Sequence, residues 1–161
     1  MKTAIFYSTK YGSTEKVANE IALNLNIEKY AYNVGQDIPD INKFDTIILG
    51  FPIYAGITNR DFRNFIQNNW NEIKPKLIGL FILCLDESSL DDYFRRIFPD
   101  RIPSKIIREC IGAEINPDIL MDVEKSIIFN LIGVDKKTST ISKEKILSFS
   151  NRISEKLGNS E

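Results

Sequence analysis

Thr3-Ala4-Ile5-Phe6-Tyr7-Ser8-Thr9-Lys10-Tyr11-Gly12-Ser13-Thr14 passes from a solid apolar run through a hydroxyl-rich turn into the helical spacing of Val17, Ala18, Ile21, Ala22 and Leu25. Glu15, Lys16, Asn19 and Glu20 are left for water. The stretch is a strand-loop-helix unit. An unbroken apolar strand, rather than an alternating one, suits a parallel sheet covered on both faces. The same grammar recurs outward along the chain. Residues 28–34, where Tyr30, Tyr32 and Val34 alternate with polar or small neighbours, read as a second strand nearer a sheet edge. Residues 46–50 form a third, Leu77–Leu83 a fourth whose continuous apolar character makes it central, and 106–115 a weaker fifth.

Helical spacing fills the gaps. Phe62, Phe65, Ile66 and Trp70 mark one helix, ended by Pro75, and 88–98 is another, broken by Pro99 and Pro103. A third runs from Asn116-Pro117-Asp118 through Met121, Val123, Ile127, Ile128, Leu131 and Ile132 to Gly133. Ile146, Phe149, Ile153 and Leu157 share one face of the last. The linker 35–45 has turn signals at Ile38-Pro39-Asp40 and Asn42 and room for a short helix, and 135–142 is a polar loop. Five strands with interleaved helices predict an α/β, three-layer, doubly wound sandwich on a five-stranded parallel sheet, a single domain over 1–161. Ligands of such folds bind beyond the carboxyl ends of the strands, where strand order reverses. Function is therefore expected in the loops after Tyr7, Leu49 and Leu83.

Composition narrows the chemistry. The 161 residues carry 21 Lys and Arg against 22 Asp and Glu, a net charge of -1, with 43% hydrophobic and 27% charged residues. That is a globular balance without the basic patch a nucleic-acid partner requires. There is no His, which excludes a Ser-His-Asp triad, a Cys-His pair and a His-ligated metal. Cys84 and Cys110 are the only cysteines, too few for a four-thiolate cluster and not spaced as C-x-x-C, so redox chemistry is expected to come from a bound cofactor. With no signal peptide and no apolar stretch of about 18 to 20 residues, the expected location is cytoplasmic, without stable membrane insertion.

Ser8-Thr9-Lys10-Tyr11-Gly12-Ser13-Thr14 opens a helix, where unpaired amides and the positive dipole end favour a phosphate. Thr9, Ser13 and Thr14 add hydroxyls, and Gly12 admits a close backbone approach. The alternative is an ordinary Ser or Thr N-cap. G-x-x-x-x-G-K-[ST] and G-x-G-x-x-G are both absent. A response-regulator domain fails too, since Ser8-Thr9 and Phe51-Pro52 stand where its acidic pair and phospho-acceptor Asp belong.

Tyr7 to Ala18 resembles the phosphate-loop signature of flavodoxins, T-x-T-G-x-T, with Thr9, Gly12 and Thr14 on matching positions. Tyr11 replaces a frequent Thr, and the likeness is closer to the branch related to menaquinone-dependent protoporphyrinogen oxidase. The resemblance implies strand order 2-1-3-4-5 and one FMN as cofactor. It places Pro52, Ile53, Tyr54, Ala55 and Gly56, in the stretch G-x-P-I-Y-x-G, along the isoalloxazine ring. Read without the resemblance, Tyr54 packs on the core. A peptide flip at Gly56 would offer a carbonyl to a protonated N5. The resemblance brings the third loop, with Cys84, Leu85 and Asp86, to the pyrimidine end. Asp86 and Glu87 would lower the potential there; alternatively they are first-turn acidic residues of a helix. Cys84 also reads as a small buried hydrophobe.

The layout of 106–133 is similar to that branch's added segment for substrate or quinone access. Its acidic residues Asp118, Asp122 and Glu124 argue against a membrane-surface helix. The apolar face from Met121 to Ile132 is expected to pack into the core. The functional expectation is an FMN-binding electron-transfer protein or oxidoreductase working with a redox partner protein or small-molecule acceptor. A porphyrinogen oxidase or quinone reductase is the first alternative, and a flavin-free interaction module the second.

Overall fold

The computed structural model describes residues 1–54, 56–133 and 136–159, and of Leu131 and Ile132 the backbone only. β1 (Thr3–Tyr7), β2 (Ala31–Asn33), β3 (Thr46–Pro52), β4 (Leu77–Leu83) and β5 (Ile107–Gly112) form one parallel sheet in the order β2-β1-β3-β4-β5. This is the expected architecture and order. β1 lies between β2 and β3, with Ile5 opposite both Ala31 and Ile48. The chain reverses its direction of travel across the sheet at β1 and β3, which opens a crevice at their carboxyl ends.

Two apolar layers cover the sheet. α1 (Ser13–Asn24) and α5 (Lys143–Gly158) bury Val17, Ile21, Ile146, Phe149 and Ile153 against Ile5, Ile48 and Phe81. α2 (Arg60–Ile73) and α3 (Leu90–Ile97) bury Phe62, Phe65, Ile66, Trp70 and Phe94 against Phe6, Leu49 and Phe51. Phe51 stacks on Phe62 with centroids 4.3 Å apart, and Trp70 meets Phe98 at 5.1 Å. Each such ring contributes about 1.5–3 kcal/mol by leaving water. The Trp70 indole N–H donates to the Asp100 carboxylate at 3.0 Å, so its polar edge stays satisfied.

Several boundaries depart from expectation. The second strand is only Ala31–Asn33, because Glu28–Tyr30 winds into a 3-10 turn. β3 runs two residues past Gly50, its partner β4 supplying pairs for Phe51 and Pro52. The linker contains a 3-10 turn at Ile41–Lys43. β4 has the expected bounds and is paired on both sides, although β3 holds the middle of the sheet. α3 starts at Leu90 rather than 88. The expected fifth strand splits at Gly112, where φ is 100°, and β6 (Glu114–Ile115) leaves the sheet to pair antiparallel with β7 (Thr138–Ser139). Of the polar loop 135–142, residue Asp135 lies outside the described residues.

This ribbon carries α4 (Asp122–Ile132), preceded by a 3-10 turn at Pro117–Ile119. The apolar face of α4 does not enter the core as expected: Met121 is 68%, Val123 70% and Phe129 54% exposed. Both faces of the sheet are already covered by α1 with α5 and by α2 with α3, so no apolar face is left for α4. Among the described residues no helix is long and apolar enough to cross a membrane.

Candidate functional site

The carboxyl ends of β1, β3 and β4 bring the three loops to one edge of the sheet. In the first, the Ser8 N–H donates to the Gly50 carbonyl at 3.0 Å, tying the loop to β3. Thr9 Oγ1 accepts the Gly12 N–H at 2.9 Å, closing a turn of which Gly12 is the last residue. Gly12 caps α1 in the left-handed conformation, φ 92°, without a side-chain cap bond. That backbone favours glycine, although a Cβ there would meet nothing within 4 Å. The ordinary Ser or Thr N-cap is thereby excluded: Ser13 and Thr14 lie inside the first turn, 4% and 1% exposed.

The first helical bond runs from the Lys16 N–H to the Gly12 carbonyl, so the amides of Ser13, Thr14 and Glu15 have no partner within the helix. The buried Ser8 hydroxyl has no hydrogen-bond partner among the described residues. Unpaired donors at a helix start form a cradle for a phosphate-like anion. The Lys10 and Tyr11 side chains lead elsewhere. Both donate to the Glu124 carboxylate on α4, which also accepts the Met121 N–H at 3.2 Å. The Lys10 ammonium first, then the Tyr11 hydroxyl, holds the Glu124 carboxyl below its ordinary range.

In the second loop, the Ile53 N–H donates to the Leu83 carbonyl at 2.8 Å. Tyr54 and Ile57 exchange both backbone hydrogen bonds at 2.9 Å, closing a tight turn with Gly56 at φ 78°. Ala55 lies outside the described residues. Pro52 is buried as the last residue of β3, a strand position rather than a loop one. Tyr54 is half-buried and does not join the core. Its ring meets that of Tyr11 edge-on at 6.2 Å, and burial, then Tyr11, pushes its hydroxyl up to about 12.

In the third loop Cys84 is buried and Leu85 is 42% exposed. Asp86 accepts the Ser88 hydroxyl at 2.6 Å and the Ser88 N–H at 2.9 Å, which hold its carboxyl low. Glu87 pairs with Lys145 of α5 at 2.7 Å. Neither acid lies in the first turn of α3, whose acidic residues are Asp91 and Asp92.

The second and third loops face each other across a cavity of about 350 Å³ that includes Ile53, Tyr54, Gly56, Cys84, Leu85 and Asp86 in its wall. Tyr54 also walls a smaller space of about 170 Å³, shared with Lys10, Tyr11, Ser13 and residues of α4. Residues from the carboxyl half complete both: Ile115, Glu124, Ile128 and, beside Gly56, Tyr93. Local sequence gives no sign of them, since their neighbours at the site lie far away in the chain.

The family model described as Flavodoxin domain matches residues 4–141. No curated protein matches the chain. Among solved structures, the flavodoxin of Streptococcus pneumoniae TIGR4 is 16% identical, with a TM-score of 0.57 over 96% of this chain and 98% of that one. Oxidised flavodoxin 1 of Bacillus cereus is 16% identical, with a TM-score of 0.54 over 96% and 98%. The flavodoxin of Fusobacterium nucleatum bound to flavin mononucleotide is 20% identical, with a TM-score of 0.54 over 97% and 99%. These likenesses are of fold.

Proposed function

The chain belongs to the flavodoxin-domain family, and we propose that it binds one FMN non-covalently and carries electrons between a redox partner protein and a second partner or small-molecule acceptor. The observation that carries this reading is a conjunction: a cradle of unpaired donors around Gly12, and a cavity between the second and third loops that shares Tyr54 with the space lined by Ser13 of that cradle. The Fusobacterium relative holds the same cofactor on this fold. In our assignment Ser8, Thr9, Gly12, Ser13 and Thr14 hold the phosphate, with the backbone of Lys10 and Tyr11. Pro52, Ile53, Tyr54, Ala55 and Gly56 flank the ring on one side and Cys84, Leu85 and Asp86 on the other.

Bound FMN supplies the redox chemistry, while the chain binds, orients and shields it. No side chain is required as acid or base. Titration of flavin fluorescence with the purified protein tests the reading, with quenching at one FMN per chain expected. In Thr9→Asp the new carboxylate can still accept the Gly12 N–H, but it repels the phosphate and weakens binding about 100-fold or more. A colourless protein that quenches no added FMN overturns the reading in favour of an interaction module.

The smaller cavity favours a second reading within the same cofactor chemistry. Its walls include the apolar side chains of Ile115, Ile119, Leu120 and Ile127 beside Tyr54. A small hydrophobic acceptor such as a quinone suits that lining, and the resemblance of residues 106–133 to the added segment of the protoporphyrinogen-oxidase branch supports the same reading. Steady-state reduction of a short-chain quinone or oxidation of a porphyrinogen by the FMN-loaded protein tests it; no turnover with either leaves electron transfer alone.

A further inference from the structure

We propose that Cys84 and Cys110 are a redox-active dithiol–disulfide pair beneath the ring cavity, and that reduced flavin passes an electron pair to the disulfide. The electron donor rests on the FMN reading above, whereas the pairing of the thiols stands on its own geometry.

The two residues are 26 positions apart and come together only because β4 and β5 are neighbours in the sheet. Ile82 lies opposite Cys110, and the register then shifts so that Leu83 lies opposite Gly112. Cys84, immediately past the end of β4, thereby turns back over Cys110. Their sulfurs are 2.7 Å apart, and Cys110 Sγ is 3.5 Å from the Cys84 carbonyl oxygen. A disulfide bond is about 2.05 Å long, so the sulfurs need approach by well under about 1 Å to close it. Both residues are buried, at 3% and 5% exposure. Cys84 nevertheless belongs to the wall of the 350 Å³ cavity, with Tyr54, Gly56 and Asp86.

Each sulfur acts on the other. The hydrogen bond that the two sulfurs share draws the Cys110 thiol down and pushes the Cys84 thiol up. Lys145 Nζ donates to the Cys110 carbonyl at 3.0 Å while pairing with Glu87 at 2.7 Å and lying 3.9 Å from Glu109. Burial and the charge of Glu87 oppose a thiolate at both sulfurs, and Asp86 adds to this at Cys84. A thiol drawn down by a neighbouring sulfur is what thiol–disulfide chemistry uses.

The exchange balances without an external proton. The S–S bond breaks and accepts two electrons, and one proton from the anionic hydroquinone of FMN goes to one sulfur. The products are oxidised FMN, one thiol and one thiolate. Run in reverse, it stores an electron pair in the flavin.

The test uses the full chain loaded with FMN, its flavin content measured first by absorbance. Diamide oxidation followed by unfolding and alkylation reads the pair: the wild type takes up no alkyl group after oxidation and two before it. The oxidised holoprotein is then illuminated anaerobically with EDTA, which reduces the flavin alone. Recovery of two alkylatable thiols in the light, and none in the dark or without FMN, supports the proposal. Two thiols that remain alkylatable after diamide overturn the pair. A bleached flavin beside an intact disulfide overturns the exchange. If no FMN binds, the assigned function and the flavin step both fall, while alkylation of the apoprotein still decides the pair. Cys110→Ala, which keeps the apolar fit, is expected to leave one thiol alkylatable after diamide.

Discussion

The Lys10 ammonium, in the loop after β1, is hydrogen-bonded to the Glu124 carboxylate on α4, 114 positions further along the chain. The contact fastens α4 beside the proposed phosphate cradle and places a negative charge there. A dianionic headgroup entering the cradle meets that charge and competes with it for Lys10.

Removing the charge is therefore expected to favour the cofactor. Glu124→Gln should tighten FMN binding about two- to fivefold, the scale of an exposed ion-pair partner, with the gain shrinking in high salt. Because Lys10 and Tyr11 hold the Glu124 carboxyl low, the carboxylate persists through the ordinary glutamate range and is lost only as pH falls through its depressed value. The difference between the two proteins should close over that acidic window. Fluorescence titrations at several pH values check it, and equal affinities at neutral pH would refute it.

Gly56 lies in the tight turn of the second loop with φ 78°. Proline cannot adopt that angle, so Gly56→Pro blocks the peptide flip proposed to meet a protonated flavin N5. The semiquinone yield should fall about tenfold, the worth of one hydrogen bond. Gly56→Asn tolerates positive φ and serves as the control, provided the Tyr93 ring, 3.1 Å from the position of a Cβ, gives way slightly. Spectroscopic redox titration gives the yields; the same yield in Gly56→Pro and wild type would rule out the flip.

Gly50 has no room for a side chain. A Cβ there would lie 1.9 Å from Phe81 Cζ and 2.4 Å from Cε2, the ring lying across the backbone of the neighbouring strand. Gly50→Ala should lose about 3 kcal/mol or more, the upper end of overpacking penalties. Adding Phe81→Leu should restore part of the loss, giving a favourable coupling between the two sites. Urea denaturation of the single and double variants measures both. Additive losses would show that the ring is not the obstacle.

Local pattern carried far into the fold and the site. The apolar runs of Thr3–Tyr7 and Leu77–Leu83 have the expected bounds because a doubly covered strand needs no partner to be recognised. The amphipathic faces of α1, α2 and α5 were equally legible from their period. So was the loop from Ser8 to Thr14, whose glycine and hydroxyls sit within one turn of a helix start. Other features depend on which residues meet through space. The break at Gly112 arises from a ribbon formed with Thr138–Ser139. The exposure of Met121 and Val123 follows from a sheet already covered on both faces. Glu124 reaches Lys10, and Cys84 reaches Cys110, across separations without a periodic signature. Periodicity decides which face of an element is apolar, because that depends on the backbone's own repeat. Only tertiary packing decides what meets that face, because partners distant in sequence are chosen by the closing of the whole chain.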